Sequence, residues 1–258
     1  MTEFAALAPL AEALRARHHG PEDLVLPNAW DAASAREVVD GGFPVVATTS
    51  SGVAKSLGWA DGEETPLDEM FAAIARITRV VDVPVTADIE GGYGLSPEQL
   101  VARLLAAGAV GCNVEDADQS GDAVLHDANR QADYLAAMRA AARETGVSIV
   151  INARIDVFIR EFGEPKDRVA ETLRRAAIYR EAGADCVFPI GISDEEEIRA
   201  VVTGAGLPVN VWVRQGVPSL ARLRELGVAR ISFGGGLHRR ALEDLRHRLT
   251  AIRTGDSP

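Results

Sequence analysis

"AAGAVGCNVEDA" spans residues 106–117. Its Ala-Ala-Gly closes a helical pattern, because glycine adopts the left-handed conformation that stops a helix. The chain then turns at once into a continuous apolar run, "AVGCNVE" (109–115), that ends on acids. A run without polar alternation predicts a strand buried on both faces, as in a parallel sheet covered by helices. Seven similar runs occur: "DLVLPN" (23–28), "FPVVATT" (43–49), "VPVTAD" (83–88), "VSIVINAR" (147–154), "ADCVFPI" (184–190), "LPVNVWV" (207–213) and "ARISFGG" (229–235). Helical patterns fill the intervals, over 31–41, 67–81, 96–107, 127–145, 165–182, 194–204 and 217–226, with a last one over 237–253. Many close on glycine just before the next strand, as in "DGGF", "ETGVS", "EAGADC" and "ELGVAR". Eight such units predict an α/β fold of the TIM-type (β/α)8 barrel class rather than an open sheet. No Pro/Ser-rich linker interrupts them, so residues 1–258 read as one domain with an N-terminal helix over about 3–19.

Composition narrows the functional classes. Hydrophobic residues make up 47% and charged residues 25%, which is ordinary for a globular protein. A formal charge of −11 disfavours nucleic acid and acidic membrane surfaces as partners and favours a divalent cation. No apolar run approaches the roughly 20 residues of a membrane span, and "MTEFAALAPLAEALRARHHG" lacks a signal peptide's apolar centre, so a cytoplasmic protein is expected. Cys112 and Cys186 sit in separate apolar runs, as buried reduced thiols do.

In such a barrel the chemistry gathers at the C-terminal ends of the strands. Read in order, those ends offer Asn28, Trp30 and Asp31; Thr49 to Gly52; Asp88 and Glu90; Glu115 and Asp116; Arg154 and Asp156; Ile190; Asn210 and Trp212; and Gly234 to Gly236. Four carboxylates at one mouth repel one another unless a cation lies among them. Oxygen donors without nearby His or Cys point to Mg2+ or Mn2+, with Asp88, Glu90 and Glu115 as candidate ligands. Asp31 and Asp116 have the alternative role of capping the next helix. Trp30, Asn210, Gly91 and Gly92 fall on the same rim as candidate substrate contacts, the glycines clearing space for a substrate or letting a loop move. His126 is a candidate acid or base, or else a solvated loop residue beside a helix cap at Asp127. Ser193 reads as the cap of an acid-rich helix start. Lys55 and Arg214 read as solvated charges.

The segments "TSSGVAKSLGWADG" (49–62), "VPVTADIEGGYG" (83–94), "CNVEDA" (112–117) and "INARIDV" (151–157) together resemble the isocitrate lyase/phosphoenolpyruvate mutase superfamily, over roughly residues 24–240. The resemblance implies a phosphoenolpyruvate/pyruvate-domain-like barrel whose last helix packs on, or swaps into, a neighbouring subunit of a homodimer or homotetramer. It implies that Asp88 holds Mg2+ directly, that Glu90 and Glu115 complete the metal surroundings, and that Asp61 stands by the metal and the reacting end of the substrate. Arg154 would clamp a substrate carboxylate, and Ser50, Ser51 and Gly52 would hold the other end of a small 2-oxo or 2-hydroxy acid. The reaction implied is bond cleavage that leaves an enolate stabilised by the metal.

Departures from the family pattern narrow the reaction. The chain lacks the Lys-Cys-Gly-His stretch of the isocitrate and methylisocitrate lyases, and of the mutase loop only "LHD" (125–127) remains. The mutase asparagine is replaced near Asp122 or Ala123, and Ile190 stands where relatives carry Glu or His. The expectation is a Mg2+-dependent C–C lyase acting on a small (di)carboxylate with an alkyl or uncharged distal group. The alternatives are a P–C bond enzyme of the same superfamily, a metabolite-binding barrel without turnover, and, from the glycines at 234–236 with Arg239 and Arg240, a phosphosugar isomerase.

Overall fold

The first strand run breaks at Pro27. Leu24–Leu26 (β1) and Asn28–Ala29 (β2) pair with different neighbours on either side of a residue that has no N–H to give the ladder. The computed structural model describes residues 4–20, 22–118, 121 and 124–255. The other strands are β3 (Val46–Thr48), β4 (Val85–Asp88), β5 (Gly111–Glu115), β6 (Val150–Ile155), β7 (Cys186–Pro189), β8 (Asn210–Trp212) and β9 (Arg230–Ser232). All pairings between these strands are parallel, in the orders β2-β3-β4-β5-β6-β7 and β1-β9-β8. A parallel bridge between Val187 and Val209 joins β7 to the start of β8 and closes the ring. With β1 and β2 as one stave, this is the eight-stranded barrel that the run pattern predicts.

Helices cover the outside: α1 (Ala8–Arg17), α2 (Ala32–Asp40), α3 (Ser50–Leu57), α4 (Leu67–Thr78), α5 (Pro97–Ala106), α6 (Ala128–Thr145), α7 (Arg168–Glu181), α8 (Glu195–Gly204), α9 (Leu220–Glu225) and α10 (Gly236–Thr254). Buried side chains such as Ile74, Leu100, Leu104, Leu135 and Met138 lock helices α4 to α6 onto the outward face of the barrel. The expected N-terminal helix is a 3-10 turn, Ala5–Leu7, followed by α1, and residue 3 lies outside the described residues. Leu14 of α1 sits against the bottom of β5, where a Cβ on Gly111 would come within 2.7 Å of its Cδ2. Arg15 bonds the Asp185 carboxylate and, at 2.8 Å, the Ser148 carbonyl, which fixes α1 across the N-terminal end.

Local chemistry sets the ends. Asp31 caps α2 in a reciprocal box with Ser34, and Asp127 caps α6. The cap of α8 is Asp194, which accepts from Glu196 N and Glu197 N at 2.9 and 3.1 Å; Ser193, the sequence candidate, lies one residue outside. Helix α3 was absent from the sequence expectation, which treated 50–52 as a strand-end segment. Thr49 caps it and Gly58, at φ +92, ends it in the left-handed region. Both faces of each strand are buried, but they differ. Thr86, Asp88, Asn113, Asn152, Arg154, Asn210 and Arg230 occur at alternate positions facing the interior, where Asp88, Asn152 and Arg230 all bond Asn113, while the intervening apolar residues meet the helices. The two cysteines are free and buried. No described helix is long and apolar enough to cross a membrane.

Candidate active site

A cavity of about 290 Å3 opens at the C-terminal end of the barrel. Ser50, Ser51, Asp61, Asp88 and Arg154, all of them sequence candidates, line it together. Strand β4 delivers Asp88 at its last residue, where Oδ2 accepts from Ser50 N and Ser50 Oγ, both at 3.0 Å, and Oδ1 accepts from Asn113 Nδ2 at 3.3 Å. Asp61 belongs to the loop between α3 and α4 and turns its carboxyl into the crowded mouth. Partial desolvation, with the Asp88 charge beside it, raises its pKa.

The other acids are each answered from within the protein. Glu90 Oε2 accepts from Gly62 N and Glu63 N, both at 2.7 Å, and Oε1 accepts from Tyr93 Oη at 2.6 Å. Its backbone lies in the left-handed region at φ +51, a strained setting for a non-glycine residue. Burial, against the Tyr93 hydrogen bond and aided by the Asp88 charge, pushes its carboxyl up to about 7. Glu115 is buried against Arg154, Nη1 to Oε2 2.5 Å, and desolvation outweighs that arginine to raise it to about 8. Asp116 is a structural residue rather than a cap: it is wholly buried and accepts from Asp156 N, Arg175 Nη1 and Tyr179 Oη at 2.8, 2.9 and 2.8 Å. The repulsion expected among four carboxylates is therefore relieved largely by arginines and backbone N–H groups. Asp61 and Asp88 alone among the predicted acids reach the cavity wall.

Arg154 is already engaged. Asp156 takes its Nε and Nη2 at 2.8 and 2.9 Å, and Glu115 takes Nη1. Three of its five N–H groups are thereby used, which leaves one on each terminal nitrogen for a substrate. Burial pulls its pKa down, and the Asp156 and Glu115 charges more than offset that, so the guanidinium stays a cation.

Several expected contacts lie elsewhere. Gly52 is packed beneath the wall, where a Cβ would stand 2.6 Å from Thr49 Cγ2 and 3.0 Å from Trp30 Cβ. Trp30 lies edge-on to His238, ring centroids 5.0 Å apart, and borders a separate apolar groove with α2. Asn210 is fully buried and donates to Ser232 Oγ at 3.1 Å. Gly92, at φ +101, makes room for Tyr134, whose Oη would be 2.9 Å from an added Cβ, so this glycine serves a tight turn rather than a substrate. Gly91 and His126 border a second cavity of about 350 Å3, on the far side of the β4 and β5 loops. His126 is not brought to the Asp88 cavity; its backbone N–H is tied to Asp116 O at 2.8 Å. Asp122 and Ala123 lie outside the described residues.

Sequence reading missed Asn113 and took Lys55 for a solvated charge. Both line the cavity, with Arg239 and the strand-end candidate Asn28. Asn28 Oδ1 accepts from Phe233 N and Gly234 N at 2.8 and 2.9 Å and so ties the end of the first stave to the end of the last. For Asn113 the available signal was a polar residue inside an otherwise apolar run. Ile159, Phe188, Ile190 and Trp212 add apolar surface to the cavity wall.

The donors on this wall are hard oxygens, without His or Cys, which suits Mg2+ or Mn2+. Among the described residues, no three His, Cys, Asp or Glu side chains gather closely enough to cage an ion. Magnesium is ordinarily held by one or two carboxylates with water and substrate completing its shell, so Asp88 with Asp61 beside it fits that cation.

Comparison with known proteins places the chain in a family. The family model described as phosphoenolpyruvate phosphomutase matches residues 14–253. An uncharacterized protein of Mycobacterium tuberculosis is 31% identical over 240 residues, 93% of this chain and 88% of that protein. A probable 2-methylisocitrate lyase of Corynebacterium glutamicum is 30% identical, covering 86% of this chain and 70% of the relative. Among solved structures, a Burkholderia cenocepacia J2315 protein described provisionally as a phosphonomutase superimposes with a TM-score of 0.88 at 40% identity, covering 93% and 99% of the two chains. A 2,3-dimethylmalate lyase superimposes with a TM-score of 0.84 at 29% identity, covering 95% and 88%. With its barrel, its rim acids and a family match along nearly its whole length, the chain belongs to the phosphoenolpyruvate mutase/isocitrate lyase superfamily.

Proposed function

We propose that this barrel is a Mg2+-dependent lyase that cleaves a C–C bond of a small, alkyl-bearing 2-hydroxy or 2-oxo dicarboxylate. The observation that carries the reading is a single cavity lined both by Asp61, Asp88 and Arg154 and by Ile159, Phe188 and Ile190. Asp88, with Asp61 alongside, would hold the cation, and the raised carboxyls of Glu90 and Glu115 stand behind it as groups that a bound cation would help to ionise. A bound divalent ion supplies stabilisation of the charge that develops on the C2 oxygen. Arg154 would receive a substrate carboxylate on its two remaining N–H groups, and the Ser51 hydroxyl, on the same cavity wall, would hold the other end of the substrate, while the Ser50 hydroxyl is spent on Asp88. Asp61 is the wall carboxyl placed to exchange a proton with substrate. The apolar surface excludes water and accommodates an alkyl substituent, and the similarity to a 2,3-dimethylmalate lyase supports that choice.

The outer face of α10 presents Leu242, Leu245, Leu249 and Ile252 to solvent at alternating three- and four-residue spacing, which supports a homodimer or homotetramer packed through this helix. Free buried cysteines support a reducing, cytoplasmic setting. A second reading, P–C bond chemistry, draws on the 40% identity to the phosphonomutase-like protein. The test is a panel of alkylated malates, 2-oxo acids and phosphonopyruvate with Mg2+, followed by proton and phosphorus NMR. Cleavage of alkylated malates is expected, and Ile190→Glu lowers kcat/KM for them at least about tenfold relative to malate. Turnover of phosphonopyruvate alone, or indifference to the Ile190 change, contradicts the reading.

A further inference from the structure

Below the cavity the barrel interior holds a guanidinium without a carboxylate partner. Arg230 of β9 is 1% exposed and forms no ion pair with any described residue. Burying an unpaired arginine costs several kcal/mol, so a side chain that merely filled space there would more economically be apolar. Its contacts show a direction. Nη2 donates to Asn113 Oδ1 at 3.1 Å, and Asn152 Nδ2 donates to the same oxygen at 2.7 Å. Arginine can only donate, so the Asn113 atom facing it must be the oxygen. The amide nitrogen is then forced to the other side, where it donates to Asp88 Oδ1.

We propose that Arg230 is a positioning residue for Asp88, acting through Asn113 to fix which face of that amide the carboxylate meets. If the amide turned over, its oxygen would oppose the Asp88 carboxylate and the carboxylate would swing off its Ser50 contacts. The far end of the guanidinium is anchored as well. Nη1 faces His18 Nε2 at 3.4 Å, and His18 Nδ1 bonds the Leu14 carbonyl at 2.9 Å. A carbonyl only accepts, so Nδ1 carries the proton and Nε2 offers a lone pair to the arginine. Helix α1, at the opposite end of the barrel, thus holds the arginine that orders the rim. Thr86 Oγ1, Asn152 Oδ1, Asn210 Oδ1 and Arg230 Nε are buried there without protein partners, so the chain through Asn113 is the only direct protein link among the described residues from Arg230 to Asp88.

This inference rests on Asp88 as the metal ligand. Its test is Mn2+ titration of wild-type protein, Arg230→Met, Asn113→Ala and the double variant, by electron paramagnetic resonance and calorimetry. Each single change is expected to weaken Mn2+ binding about tenfold, the lower end of the range for groups that orient a metal ligand. The double variant should bind no worse than Asn113→Ala, and Arg230→Lys, which keeps a donor, should recover part of the loss. Affinity within twofold in Arg230→Met, or losses that multiply in the double variant, overturns the proposal while leaving the metal reading intact. Absence of Mn2+ binding by the wild type refutes both. If circular dichroism shows that Arg230→Met does not fold, the same cycle is run with Arg230→Lys, and multiplying losses there overturn it.

Discussion

Acidification should destabilise this barrel through His18, which lies at its N-terminal end. The imidazole is buried, and burial, followed by the Arg230 charge, lowers its pKa from the ordinary 6.5 to about 3; Arg15 and His19 act in the same direction. In the unfolded chain it would titrate near 6.5. The folded form therefore binds fewer protons than the unfolded form between these values, and His18's stabilising effect is lost as pH falls below 6.5 toward 3. Between pH 7 and pH 5 the loss from this one group is about 2 kcal/mol, from about 1.4 kcal/mol per pH unit over the range in which the unfolded imidazole protonates. For a chain of this size that corresponds to roughly 4–8 °C in Tm. Glu90 and Glu115, whose carboxyls are raised by burial, act with the opposite sign, gaining stability as pH falls, so the wild-type slope alone mixes the two effects. His18→Gln separates them. Glutamine stays neutral, can accept from Arg230 and can donate to Leu14 O. Urea unfolding of both proteins at pH 7 and pH 5 should show a fall in stability that is about 2 kcal/mol smaller for the variant. Equal pH slopes would refute the assignment of a neutral, Arg230-facing imidazole.

Asp88→Ala is expected to abolish Mg2+-dependent turnover while unfolding in metal-free buffer shifts by no more than about 1–2 kcal/mol, since only hydrogen bonds from Ser50 and Asn113 are lost; a collapse of the fold without metal would show that Asp88 is structural. Asp116→Ala strips the buried Arg175 and Tyr179 of their shared acceptor and should cost about 3–5 kcal/mol in urea unfolding, whereas a change under 1 kcal/mol would contradict a buried ion pair at that position.

The barrel itself was legible because its signals are short-range. A continuous apolar run, a glycine in the left-handed region after most helices and an Asp or Ser at several of the next caps act within a few residues, and "AAGAVGCNVE" carries the first two of these. Helix α3 escaped because its eight residues are partly serine and glycine and show too little apolar period to stand out. The acids at the strand ends could be found, but not sorted. Asp88, Glu90, Glu115 and Asp116 look alike along the chain, and their roles depend on partners far away: Arg175 lies 59 residues beyond Asp116, and Arg154 lies across the β5-β6 ladder from Glu115. Charge compensation follows distance in space, so only ring closure decides which carboxylate is neutralised inside and which is left facing the cavity. The same closure sets Arg230 of the last strand beside Asn113 of the fifth segment, 117 residues apart, a contact that no local pattern announces.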